Sequence, residues 1–233
     1  MKQSSGLINT RKLKYVRKQK QWMLSQIHNQ DWRRLWSSPS MSNESLKLEL
    51  LEGWEPRTVN SLKNVIKVEA PKIVFLMETK SCKGWMEEVC DEYGFKNRLI
   101  VPSDGFSGGL TLLWKKEVTI HVQTYSMSHI DAFVNEGEEI GWSHFIGFYG
   151  NPDAAKRYES WALLKSLRGV SQLPWMAIGD FNELVGVSEK EGGGCRPASQ
   201  IARFSETIDW CGFQDVDFVG PKFTWLYQKN DGT

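Results

Sequence analysis

The sequence predicts a layered α/β fold in which sheet packs on sheet and helices cover the outside. Three observations predict it. Two apolar runs, IVFLM (residues 73–77) and WMAIGD (residues 175–180), are bounded by prolines and charges, as strands buried on both faces are. Further strand-like runs are interleaved with segments of helical spacing without strict alternation, which points away from a purely parallel sheet. Hydrophobic residues make up 40% of the 233 residues and Trp occurs eleven times, enough apolar bulk for a substantial core.

The elements follow in chain order. Leu13, Val16, Met23, Leu24, Ile27 and Leu35 fall roughly on one helical face, predicting a helix over residues 11–36. The Ser/Pro-rich stretch SSPSMSNES (residues 37–45) then reads as a linker, so residues 1–45 are expected to be a basic helical extension and residues 46–233 the main domain. Val59, Leu62, Val65 and Ile66 space like a helix after Pro56, and a short helix is expected over residues 83–92. Strand-like runs follow at residues 95–101, 108–114, 118–125 and 142–149, with Asp104-Gly105 and Ser107-Gly108-Gly109 as turn chemistry. Tyr158, Trp161, Leu164 and Leu167 mark a helix over residues 154–168. A glycine-rich loop at Gly192–Gly194 leads to a helix over residues 199–210, and strands are expected at residues 213–218 and 222–227.

Charge is unevenly distributed. Residues 1–36 carry nine Lys/Arg and a single acid, Asp31, whereas the chain as a whole has a net charge of +1. Two readings of the basic arm stay open, a solvated charged helix or an electrostatic contact to an anionic partner. The longest apolar run is five residues, against the roughly 20 that a membrane-spanning helix needs, so no membrane association is expected. The start MKQSSGLINTRKLKYV has no apolar signal-like core, so no secretion is expected. The four cysteines form no CxxC pair and the four histidines no ligand spacing, which argues against structural zinc.

Chemistry is expected where strands end in carboxylates. KIVFLMETK ends in Glu78, and PWMAIGDFNEL ends in Asp180 with Asn182 two residues on. A rigid strand end aims a side chain well, and carboxylate oxygens suit a hard cation such as Mg²⁺. Tyr149 closes the run FIGFYGNP, where a phenol either stabilises a developing oxyanion or caps the core. Gly105–Gly109 and Gly192–Gly194 fit no phosphate-binding glycine motif and read as turns.

Taken together, PRTVNSLK, PKIVFLMETK, GFSGGLTLLWK, GFYGNPDAAKRYESWALLKSL, PWMAIGDFNELVGVSEKEGGGCRP and FSETIDWCGFQDVDFVGPKFTW resemble the endonuclease domain of plant LINE-type (non-LTR) retrotransposons, within the endonuclease/exonuclease/phosphatase superfamily. These segments run in the family's order from Pro56 onward, about three quarters of the chain. The resemblance implies an incomplete four-layer α/β sandwich and a DNA-nicking phosphodiesterase dependent on Mg²⁺ or Mn²⁺, with nuclear localisation. It implies that Glu78 holds the metal, Asp180 orients or deprotonates the attacking water, Asn182 contacts phosphate oxygens and Tyr149 helps stabilise the transition state.

Two departures qualify what the resemblance implies. The family's first-strand Asn has no counterpart in SLKLELLEGWEPRTV, where Glu49 stands near its place. The family's catalytic histidine follows the FTW segment, and no histidine occurs here after His144. The expectation is a C-terminally shortened, retroelement-derived domain with an open sheet edge and weak or no activity. The alternative is a non-catalytic nucleic-acid-binding remnant that uses the basic arm.

Overall fold

A computed structural model describes residues 14–17, 22–26, 62, 66–67, 70–80, 83–104, 108–138, 141–191, 194–215 and 225–228. In order they form β1 (Lys14–Arg17), β2 (Trp22–Gln26), β3 (Ile73–Met77), α1 (Lys83–Glu92), β4 (Asn97–Val101), β5 (Leu110–Trp114), β6 (Thr119–Ser126) and β7 (His129–Asn135). Then come β8 (Trp142–Tyr149), α2 (Arg157–Arg168), β9 (Trp175–Asp180), β10 (Lys190–Glu191), α3 (Ala198–Cys211), β11 (Gln214–Asp215) and β12 (Trp225–Gln228). Single 3₁₀ turns precede α2 at Ala154–Lys156 and β10 at Val187–Glu189.

Two sheets face one another and build the core. One has the order β3-β5-β4, the other β11-β2-β9-β8-β7-β6, and a third short sheet is β10-β1-β12. Between the two larger sheets lie Phe75, Met77, Leu110, Leu112, Ile130, Val134, Phe145, Met176 and Ile178. On the far side of the three-stranded sheet, Val74, Leu76 and Leu113 pack against Met86 and Cys90 of α1 and against Leu62. Beyond the six-stranded sheet, Ile146, Phe148, Trp175 and Ala177 pack against Leu164 of α2 and Phe204 and Ile208 of α3. The order helix, sheet, sheet, helix makes a four-layer α/β sandwich. Each strand feeds two layers because its side chains alternate, which is why β3 and β9 are apolar at successive positions.

The expected helix over residues 11–36 is corrected at both described pieces, which are strands. Here β2 pairs antiparallel with β9, from Trp22 opposite Gly179 to Gln26 opposite Trp175, and β1 pairs with β12 and β10. The physical reason is tertiary. A strand as apolar as β9 gains from having its second row of backbone groups paired, and that demand outweighs helical spacing in a neighbouring segment. On the side away from β8, β9 is thus paired by β2. One strand also goes beyond the sequence reading, β7, whose buried residues include the polar His129 and Asp131 and so break the apolar pattern. The linker at 37–45, Glu49 and most of the helix after Pro56 lie outside the described residues, although Leu62, Ile66 and Lys67 are helical.

Candidate active site

Three strands end at the same edge of the sandwich. In the parallel pair β8 and β9, Tyr149 stands opposite Asp180, so both reach the edge side by side. Across the inter-sheet space, the Asp180 backbone N–H lies 3.3 Å from the Met77 sulfur at the end of β3, and the next residue is Glu78. The Tyr149 hydroxyl donates to the Glu78 carboxylate and so joins the two sheets at this edge.

The loops beyond the strands are tightly specified. Gly150 donates its N–H to Asp180 O at 2.7 Å, and Asn182 Nδ2 returns a bond to Gly150 O at 2.7 Å. Asp180 Oδ1 accepts from the Asn182 N–H at 2.7 Å, the short side-chain-to-backbone link typical of an Asx turn. Glu78 (φ 49°) and Asn182 (φ 53°) both sit in the left-handed region, where non-glycine residues are uncommon and strain tends to collect at functional sites. Gly179 allows the close approach of β9 to β8, because a Cβ there would run into the Phe148 carbonyl oxygen. After β3, Thr79 and Lys80 donate their N–H groups to Gly109 O at 3.2 Å and Gly108 O at 3.0 Å, fixing where Glu78 points.

Electrostatics follow from burial. Asp180 and Asn182 are each 5% exposed, while the Glu78 side chain keeps 20% of its surface and is the most open of the group. Lys80 Nζ lies 3.6 Å from Glu78 Oε2. Burial, then the hydrogen bond and charge of Glu78 and the charge of Asp180, push the Tyr149 phenol well above its ordinary value, so it stays a neutral O–H donor. All four residues singled out in the sequence are thus brought together, and Tyr149 is also part of the core between the sheets.

Behind the loops lies an ionic brace that sequence reasoning missed. Buried Glu183 faces Arg157 Nη1 at 3.4 Å and Arg196 Nε at 3.6 Å. Arg157 also donates to Pro152 O at 3.0 Å and Asn151 O at 3.4 Å, and Arg196 donates to Asn182 O at 3.4 Å. One carboxylate therefore ties the turn after β8 to the loop after β9. The available signal was the acid directly following Asp180-Phe181-Asn182 and the arginines in RYESW and GGCRP.

Among the described residues no group of three or more His, Cys, Asp and Glu forms a metal cluster. The donor set that is present, the carboxylates of Glu78 and Asp180, is all hard oxygen and fits Mg²⁺, which needs only one or two carboxylates. His129 and His144 are engaged elsewhere, with Ser126 and Thr124 and with Asp131 respectively.

Solved structures share this architecture. An AP endonuclease from Archaeoglobus fulgidus superimposes with TM-score 0.51 at 14% identity, over 70% of this chain and 68% of that one. A variant of the 3′ phosphatase NExo from Neisseria, bound to product DNA hairpin, gives 0.52 at 14% identity over 71% and 70%. The AP endonuclease LMAP from Leishmania major gives 0.53 at 12% identity over 71% and 66%. The fold is of the endonuclease/exonuclease/phosphatase type. No protein-family model matches the chain, and no curated protein sequence does either. Among the described residues no helix is long and apolar enough to cross a membrane.

Proposed function

We propose that this chain is a divalent-metal-dependent phosphodiesterase domain acting on DNA, derived from a LINE-type retrotransposon endonuclease. The observation that carries the reading is the convergence of Glu78, Tyr149, Asp180 and Asn182 from three strands on one edge. The solved structures of this fold support it, since they include AP endonucleases and a phosphatase bound to DNA. The order of the plant retroelement-like segments supports the origin, and residues 46–233, with β1 and β2 paired into their sheets, are the stretch we assign to the domain.

Glu78, the most open carboxylate, would hold the Mg²⁺ or Mn²⁺ ion. When bound, that ion acts as a Lewis acid on a phosphate oxygen. Tyr149 orients the Glu78 carboxylate through its O–H, which burial keeps protonated. Asp180 is the base that orients or deprotonates the attacking water. The Asn182 amide, held by Gly150 O, faces the phosphate oxygens as charge develops. The basic arm adds sequence-independent attraction to the DNA backbone, and we assign the protein to the nucleus on that basis.

A second reading is a non-catalytic DNA-binding module. It is favoured by one observation, that His129 and His144, as well as Asp131, are buried in a separate polar network and do not bond to the cluster. The deciding experiment is plasmid nicking by the purified chain in Mg²⁺, with and without EDTA, beside Asp180→Ala. At most weak nicking, which EDTA and the substitution both abolish, is the expected result. DNA retention without nicking, by a chain folded by circular dichroism, would replace the enzyme reading with the binding one.

A further inference from the structure

The tip of the β6–β7 hairpin carries two exposed large side chains beside the candidate site. Tyr125 is 58% and Met127 38% exposed, at the end of an edge strand. The tip meets the site through one backbone hydrogen bond and one packing contact. Ser128 O accepts the Tyr149 N–H at 2.8 Å, and Met127 Cε lies 2.9 Å from where a Cβ on Gly108 would sit. Gly108 in turn accepts the N–H of Lys80, the cation beside Glu78. Among the described residues the other large exposed aromatics are Trp142 on β8, Tyr158 on α2, next to Arg157 and its bonds to the turn after β8, and Trp210 on α3.

The tip is also held more firmly than an exposed turn requires. Thr124 Oγ1 donates to Asp131 Oδ2 at 3.2 Å and faces His129 Nε2 at 3.0 Å. A hydroxyl has one proton, so His129 Nε2 supplies the other, and the neutral ring accepts at Nδ1 from Ser126 Oγ at 2.8 Å. Ser126 Oγ accepts the Ser128 N–H at 3.1 Å, and the chain ends inside the protein on Asp131, bonded by His144 Nε2 at 2.6 Å. Burial lowers the proton affinity of His129 and keeps this neutral arrangement in place. Buried, satisfied polar networks rigidify the parts they join.

We propose that Tyr125 and Met127 form the seat on which a nucleobase packs next to the phosphodiester that Glu78 and Asp180 face. An aromatic face beside a polar, phosphate-directed cluster is how single strands are gripped without base-specific hydrogen bonds. A rigid tip loses little freedom on binding, which favours affinity. The ligand is a DNA strand with an unstacked base at this position. The proposal rests on the reading of the site as a DNA phosphodiesterase.

The test uses the full chain and a short single-stranded DNA that is end-labelled and carries one 2-aminopurine, followed by anisotropy and 2-aminopurine fluorescence. Tyr125→Ala should weaken binding by about 5- to 150-fold, the range found for losing one base–aromatic stack. Tyr125→Phe should bind like the parent, and Trp210→Ala, an equally exposed aromatic on α3, should change nothing. Quenching of 2-aminopurine that Tyr125→Ala removes would support the seat. Parent-like binding by both Tyr125→Ala and Met127→Ala would overturn it while leaving the DNA reading of the site intact. No DNA binding by the folded parent chain would overturn the site reading, and the seat with it.

Discussion

The bodies of β3, β8 and β9 and their common end are built on opposite principles. In the bodies, Phe75, Phe145, Ile146 and Ile178 are nearly inaccessible, and backbone pairing runs in register. At the end, within a few residues, stand left-handed Glu78, Lys80 and Asn182, a buried carboxylate–arginine brace and a phenol bonded to an acid. Apolar burial gives the frame its stability, and the frame then holds conformations that isolated loops would not adopt. A binding or catalytic edge needs that second kind of structure, because a carboxylate can be aimed only if something else fixes its backbone.

The sharpest way to break the frame is Phe75→Ala. Phe75 is fully buried, edge-on to Phe145 at 6.1 Å, and its truncation should cost about 3–5 kcal/mol in urea unfolding. A loss below about 1 kcal/mol would show that the core between the sheets is not packed as described. At the common end, Glu183→Ala should cost about 3 kcal/mol, because it leaves Arg157 buried without its carboxylate. If the brace positions the site, Glu183→Ala should also lower any metal-dependent nicking, and Glu183→Gln should recover part of it.

A smaller effect separates the hairpin from the rest. Because burial depresses His129 below its ordinary value of 6.5, the unfolded chain binds a proton that the folded one refuses. His129's contribution is therefore complete above that pH and is lost as pH falls through 6.5 towards the depressed value. Thermal unfolding between pH 7.5 and 5 should show this dependence, and His129→Asn should flatten it. An unchanged slope in the variant would place the titration elsewhere. The smallest effect is expected for Lys80→Gly, half-exposed and left-handed, where relief of strain against lost chain stiffness should gain about 0.5 kcal/mol. A loss instead would mean that the ion pair to Glu78 outweighs the backbone.

Much of the fold was legible because its strands are apolar on both faces. IVFLM and WMAIGD announce themselves by run length, and FIGFY by its position before a Gly-Asn-Pro turn. The candidate residues were legible for the same reason, since each follows such a run. Illegible were β7, where Asp131 and His129 are buried polar groups satisfied only by neighbours from β6 and β8, and the strands at Lys14–Arg17 and Trp22–Gln26, where helical spacing gave the wrong local answer.

By itself, then, the sequence determined which segments must be buried and which acids stand where those segments stop. Hydrophobic periodicity is local, and a strand-end carboxylate is visible in the chain order. Only the tertiary structure decided that Glu78 meets Tyr149, that one Glu183 braces two loops through Arg157 and Arg196, and that β2 covers β9. Those pairings join residues far apart in the chain. Their energies depend on burial and partner geometry, which no local pattern encodes.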